Sequence, residues 1–158
     1  MTETPNAFAE HNHRRCIAGG IDAAERACAE AGLRLTPVRR RTLEILLDAH
    51  EALGAYEVLE RLSAEGFGSK PPVAYRALGF LVDHGLAHRI ERLNAFVACA
   101  HPGDAHAPAF LICRACRTVA ETESAAPALA RGAAAAGFRI EQTVMEAEGL
   151  CPACQDAS

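Results

Sequence analysis

Apolar positions in the first half of the chain recur at helical spacing. From Ile21 to Ala31 an alanine-rich stretch carrying Glu25 and Arg26 predicts a helix that stops at Gly32. Thr36-Pro37 then supplies a capping residue followed by proline at the first helical position. Val38, Thr42, Ile45 and Leu46 continue that helix to about Ala49. Tyr56 to Ala64 predicts a third helix, with Val58, Leu59 and Leu62 on one face and Gly66 just beyond. Pro71-Pro72 opens a fourth through His84, striped by Val73, Ala77, Leu78, Leu81 and Val82 and stopped by Gly85. Two short strands follow, Leu86 to Glu91 and Ala95 to Ala98, joined by a turn around Leu93-Asn94. Helices ending in a two-stranded ribbon are the layout of a winged helix-turn-helix, in which the last helix enters the major groove and the ribbon lies along the backbone.

The pattern changes after residue 100. Ala109 to Ile112 and Thr118 to Glu121 predict strands, Ala125 to Ala136 an alanine-rich helix ending at Gly137, and Phe138 to Ala147 a further strand. The expected fold is α+β: an N-terminal winged helix-turn-helix, then a small α/β dimerisation domain. The expected division is a flexible tail over 1–20, a DNA-binding domain over 21–99, a hinge over 100–108 containing Pro102, Gly103 and Pro108, and the second domain over 109–158. At about 50 residues that second domain has a thin core, so a metal staple and a partner subunit are both physically expected.

Composition adds limits. The 158 residues suit one medium domain or two small ones, and the 50% hydrophobic content comes largely from alanine, with only eight Phe and Tyr. No apolar run approaches the roughly 18 residues that span a bilayer, so no membrane role is expected. Met1 to Glu10 lacks a basic start followed by an apolar stretch, which predicts no secretory signal. Seven cysteines in such a chain favour a reducing cytoplasm and metal binding over oxidation. The net charge of −4 is uneven: residues 33–92 carry nine Lys and Arg against eight acids, or +1, whereas 93–158 carry four Arg against seven acids, or −3. The densest basic cluster, Arg39-Arg40-Arg41, could touch phosphate or form a solvated helix face.

Cysteine spacing supplies the chemistry. Cys113-Arg-Ala-Cys116 and Cys151-Pro-Ala-Cys154 are two CxxC pairs separated by 34 residues, Arg117 to Leu150. Two intervening residues let both sulfurs of a pair turn toward one ion, so the two pairs predict a four-thiolate zinc site. Such a site leaves no coordination position for water or substrate, which makes it structural rather than catalytic. Two disulfides, or two redox pairs, are the alternatives. His88, Cys99, His106 and Glu121 form a second metal-capable set, two imidazoles, a thiolate and a carboxylate, drawn from wing, hinge and second domain. Taken singly, each of these residues is more simply a packing or surface residue.

Several stretches carry a resemblance: Leu35-Thr36-Pro37-Val38-Arg39, Ala55-Tyr56-Glu57-Val58-Leu59, Lys70-Pro71-Pro72-Val73-Ala74-Tyr75-Arg76-Ala77-Leu78, Gly85-Leu86-Ala87-His88-Arg89-Ile90-Glu91, Phe110-Leu111-Ile112-Cys113 and Glu148-Gly149-Leu150-Cys151. In this order they make the chain resemble the ferric-uptake-regulator superfamily of metal-responsive repressors, and within it the zinc-uptake regulators, over about residues 22 to 154. The resemblance implies a homodimer that binds double-stranded operator DNA of zinc-uptake genes, with two zinc ions per subunit. By position it makes Cys113, Cys116, Cys151 and Cys154 the structural ligands and His88, Cys99, His106 and Glu121 the regulatory ones. Tyr56 and Arg76 match DNA-contacting residues, Arg76 on the recognition helix, and Tyr75 and Lys70 beside it complete the expected DNA-binding set. Regulatory zinc would then favour the closed geometry that spaces two recognition helices for a palindrome.

This chain departs from the family in two places. Ala107-Pro108-Ala109 stands where iron and peroxide sensors carry a His-rich stretch, which favours the zinc branch. Val73-Ala74 replaces the usual Thr-Val, removing a hydroxyl that could cap the recognition helix or touch phosphate. His101 remains the substitute for His106. A thiol oxidoreductase or zinc hydrolase would need a redox-active pair or an open zinc position, and the four-plus-four ligand count leaves neither, so no enzyme and no small-molecule substrate are expected. A repressor of the same fold sensing iron, manganese or peroxide is the other reading, against which the Cys99 thiolate disfavours manganese. His11, His13 and Cys16 offer a weak surface site, Cys28 suits core packing, and His50 and His84 sit near helix ends.

Overall fold

A computed structural model of the chain describes residues 8, 13–100, 102, 108–123 and 126–157. Four helices come first: α1 His13–Glu30, α2 Pro37–Asp48, α3 Ala55–Ala64 and α4 Pro71–Asp83. They precede the wing strands β1 Ala87–Ile90 and β2 Ala95–Ala98. The second domain holds β3 Pro108–Cys113, β4 Val119–Glu123, α5 Ala126–Ala135, β5 Glu146–Gly149 and α6 Pro152–Asp156.

Local chemistry accounts for the helix ends. Thr36 Oγ1 accepts the Arg39 N–H at 3.4 Å and Pro37 opens α2, while the Glu57 carboxylate accepts the Gly54 N–H at 2.8 Å at the start of α3. Gly85 ends α4 with φ +71°, a left-handed value that costs glycine little, and the Leu86 N–H reaches the Leu81 carbonyl at 2.7 Å. Ile21, Ala24, Leu43, Leu46, Val58, Leu62, Leu78 and Leu81 meet in one buried core. Burying each large aliphatic side chain there stabilises by roughly 1.5–3 kcal/mol.

Two elements differ from the sequence expectation. Helix α1 begins at His13, so residues 13–20 extend the first helix instead of belonging to a tail. Gly19-Gly20 does not break it, because Gly20 lies where α1 crosses α2: a Cβ there would stand 2.9 Å from the Leu47 methyls. The strand expected over 138–147 is only β5, Glu146–Gly149, and Phe138 and Val144 are exposed. Alternating side chains describe a strand's faces, but a ladder also needs a neighbouring strand, and within the described residues 138–145 has none.

Strands β1 and β2 pair antiparallel through His88↔Val97 and Ile90↔Ala95. The second sheet has the order β4-β3-β5, with β3 antiparallel to β4 and parallel to β5. The segment after α2 stitches the two sheets together, since Leu53 bridges Phe96 of the wing and Glu51 bridges Thr118 just before β4. A second core fills the join, where Ala52, Ile90 and Ala95 pack against Phe110, Ile112 and Val119. The wing therefore buries one face on the second domain.

Candidate functional site

The β3–β5 register explains why cysteines 38 residues apart meet. Cys113 pairs with Gly149 at the same end of two parallel strands, so Cys151 emerges beside it and its N–H points to Cys113 Sγ at 3.4 Å. A tight turn with Arg117 at φ +65° brings the chain back from Cys113 to β4 and presents Cys116. Cys151 is the N-cap of α6 and Cys154 lies in that helix's first turn. The four sulfurs lie within 4.8 Å of one another, and all four cysteines are free thiols. The Cys116–Cys151 sulfur separation is 3.8 Å, far beyond a disulfide bond of about 2.05 Å. It equals the edge of a tetrahedron whose centre lies about 2.3 Å from each sulfur, the zinc–thiolate distance.

The thiols are also unequal. The N–H groups of Cys116 and Cys151 stabilise the Cys113 thiolate and hold its pKa down at about 6. Thr118 lowers Cys116, its Oγ1 lying 3.2 Å from the sulfur. Cys154 is pushed up to about 12, first by its hydrogen bond with Cys151 and then by that with Cys113. Four like charges this close cannot coexist without a cation, so the donor set and spacing fit a metal such as zinc.

The second cluster joins His88 on β1, Cys99 just past β2 and Glu121 on β4, again within 4.8 Å of one another. Strand pairing sets each one: the Cys99 N–H bonds to the Leu86 carbonyl at 3.0 Å, and Glu121 stands opposite Phe110. His88 Nε2 is buried and lies 3.7 Å from Glu121 Oε2, with the Phe110 ring centroid 5.4 Å from the imidazole. The Ala100 N–H orients the same Glu121 oxygen at 2.9 Å. The Glu121 side chain is only 6% exposed, and a carboxylate that deep is costly unless a cation balances it. Imidazole, thiolate and carboxylate together suit zinc. The remaining expected ligand, His106, and its substitute His101 lie outside the described residues.

In the first domain, Tyr75 and Arg76 stand exposed on α4, with Lys70 at its N-cap and Tyr56 exposed on the first turn of α3. Lys70 makes no side-chain cap, and Val73, in place of a hydroxyl, packs against the first core. The basic run of α2 is committed within the chain. Arg39 stacks 3.7 Å over the Phe80 ring, Arg40 pairs with Glu25 and Glu44, and Arg41 pairs with Glu44 and Glu65. Arg40 and Arg41 stay partly exposed in these pairs, which suits the solvated helix face. Cys28 is buried in the first core, where desolvation raises its thiol, whereas Cys16 is exposed on α1. Among the described residues no helix is long and apolar enough to cross a membrane.

Sequence reasoning missed Thr118 beside Cys116, and also Glu146, Arg92 and Glu148. Glu146 bonds the wing backbone from 54 and 55 residues away, and no local pattern signals a contact at that separation.

No protein-family model matches the chain. The chain is 38% identical over 135 residues to the zinc uptake regulation protein of Escherichia coli (strain K12), covering 83% of this chain and 78% of that one. It superposes on holo XcZur with a TM-score of 0.80 at 41% identity, covering 87% of this chain and 98% of that chain. A zinc uptake regulator complexed with zinc and DNA gives 0.81 at 34% identity, covering 94% and 98%. Apo XcZur gives a TM-score of 0.52 at 42% identity, covering 89% and 99%. By this identity over most of both chains, the chain belongs to the zinc uptake regulators.

Proposed function

We infer that the chain is a zinc-responsive transcriptional repressor, cytoplasmic and homodimeric, that binds operator DNA of zinc-uptake genes when its regulatory site is loaded. The observation that carries this reading is the split origin of the second cluster: His88 and Cys99 from the wing, Glu121 from the second domain. A ligand held by all three favours one arrangement of the domains, and a ligand acts on an equilibrium only through such differential contacts.

Cys113, Cys116, Cys151 and Cys154 would hold a structural zinc, and His88, Cys99 and Glu121, with His106 as the expected fourth ligand, a regulatory one. When bound there, zinc supplies a cross-link between wing and second domain. The chain's own residues do the rest. The first core, which α3 and α4 share with Leu86, Ala87, Phe96 and Ala98, keeps those helices fixed to the wing, so a rotation of the wing moves the recognition helix with it. Tyr75 and Arg76 would then reach base edges while Lys70 and Tyr56 meet the backbone. A second copy is supported by the exposed apolar residues Leu129, Phe138 and Val144 and by the outer edge of β5.

Operator binding across a series of zinc, iron(II) and manganese(II) tests the reading, with metal content counted in the same samples. Zinc is expected to give binding at the lowest free concentration, with two ions per subunit. Arg76→Ala is expected to weaken operator binding by about 1–3 kcal/mol without changing zinc stoichiometry. Binding supported by iron or manganese in preference to zinc would transfer the role to another metal.

A further inference from the structure

The wing tip contributes nothing to either metal cluster, yet it is held onto the second domain. Glu146, the first residue of β5, accepts the Glu91 N–H on Oε1 at 2.6 Å and the Arg92 N–H on Oε2 at 3.0 Å. Arg92 in turn reaches Glu148, with Nε 3.1 Å from Oε2 and Nη2 3.4 Å from Oε1. Beneath these contacts Ile90 and Ala95 pack against Phe110 and Ile112. A ribbon that lay along DNA would present its tip amides to phosphate. Here those amides meet a carboxylate instead. The same strand runs on through Gly149 to Cys151, so β5 touches the wing at one end and delivers the cysteine cluster at the other.

We propose that Glu146, backed by the Arg92–Glu148 pair, is a positioning residue that latches the wing tip to the second domain and sets the zinc concentration at which the DNA-binding arrangement forms. This rests on the function proposed above. The latch and the His88–Cys99–Glu121 cluster span the same two domains, so both bias one equilibrium. Whatever bias the latch supplies, the metal need not. Glu146 carries most of the effect, because its two bonds to backbone N–H groups are charge-assisted. The Arg92–Glu148 pair, with side chains 58% and 36% exposed, is screened by solvent and adds less.

The test uses the full-length protein, buffered free zinc and a fluorescent duplex bearing the palindrome that the wild type selects from a random-sequence library. Glu146→Ala is expected to raise the zinc midpoint for duplex binding about tenfold, with affinity at saturating zinc within about twofold of wild type. Glu146→Gln is expected to raise it less. Arg92→Glu should raise the midpoint by up to about fivefold, and Arg92→Glu with Glu148→Arg should return it toward wild type. Amide hydrogen exchange gives a readout free of DNA: the Glu91 and Arg92 amides should be protected in wild type and exchange rapidly in Glu146→Ala. If Glu146→Ala does not fold, the charge swap carries the test. Variant midpoints equal to wild type, or unchanged exchange at both amides, would overturn the latch while leaving zinc-dependent repression intact. Wild-type binding indifferent to zinc would overturn the proposed function and the latch with it.

Discussion

All four thiols of the cysteine cluster come from the second domain, whereas the His88–Cys99–Glu121 cluster draws two side chains from the wing and one from β4. The first is assembled within one sheet, by the parallel pairing of β3 with β5 that sets Cys113 beside Gly149. The second is assembled only when wing and sheet are docked. A metal in the first stabilises one domain whatever the other does, while a metal in the second stabilises a relation between domains. On the proposed function that difference would separate a staple from a sensor, and it follows from where the metal-capable side chains sit rather than from how many there are.

The largest expected effect comes from breaking the staple. Cys151→Ser removes a buried sulfur at the N-cap of α6 that the proposed structural zinc would use, and structural zinc of that kind contributes on the order of 10 kcal/mol of apparent folding free energy. Zinc content should drop, the second domain should lose its cooperative melting transition, and the dimer should dissociate in sedimentation. A Cys151→Ser protein that stayed dimeric and melted like wild type would erase the distinction between the two clusters.

A smaller effect sharpens the comparison through pH. In chelator-treated protein the Cys113 thiol falls from 9.0 to about 6 on folding. A depressed folded-state value stabilises fully above the unfolded value and is lost as pH falls through the folded one. Cys154 has the opposite sign: raised from 9.0 to about 12, it stabilises fully below 9.0 and loses that contribution as pH climbs toward 12. Cys116, also lowered, has the same sign as Cys113, and Cys154 contributes no change below 9.0, so the melting temperature of the metal-free protein should rise with pH between about 6 and 9. Cys113→Ser should flatten the slope in thermal scans at a series of pH values, and a slope unchanged by that substitution would contradict the assignment.

Much of this was legible in the chain itself, for local reasons. Thr36-Pro37, Pro71-Pro72, Gly85 and the aliphatic spacing of α2 to α4 declare helices through interactions within a few residues, and CxxC spacing declares a metal knuckle in the same way. What stayed hidden depends on distant partners. The first turns of α1 lay hidden in the expected tail, and Gly20 within them leaves the space that Leu47 needs. Arg39, Arg40 and Arg41 read as a basic patch until Phe80, Glu25, Glu44 and Glu65 are seen to occupy them. Phe138 and Val144 read as strand positions, yet no neighbouring strand in the described chain pairs with that segment. Bringing Glu121 to His88 and Cys99 required the docking of two sheets, which no spacing rule predicts. There the family resemblance, not the residue pattern, pointed the way.

The most direct test of the sensor reading is zinc titration of the purified dimer against a promoter fragment from its own zinc-uptake genes, in wild type and Cys99→Ser, with stoichiometry and gel shift read on the same samples. Operator binding should appear as the second zinc per subunit loads, and Cys99→Ser should keep the first zinc and the dimer but lose that response by about tenfold or more. Operator binding equal in both proteins and indifferent to the second zinc would contradict the account.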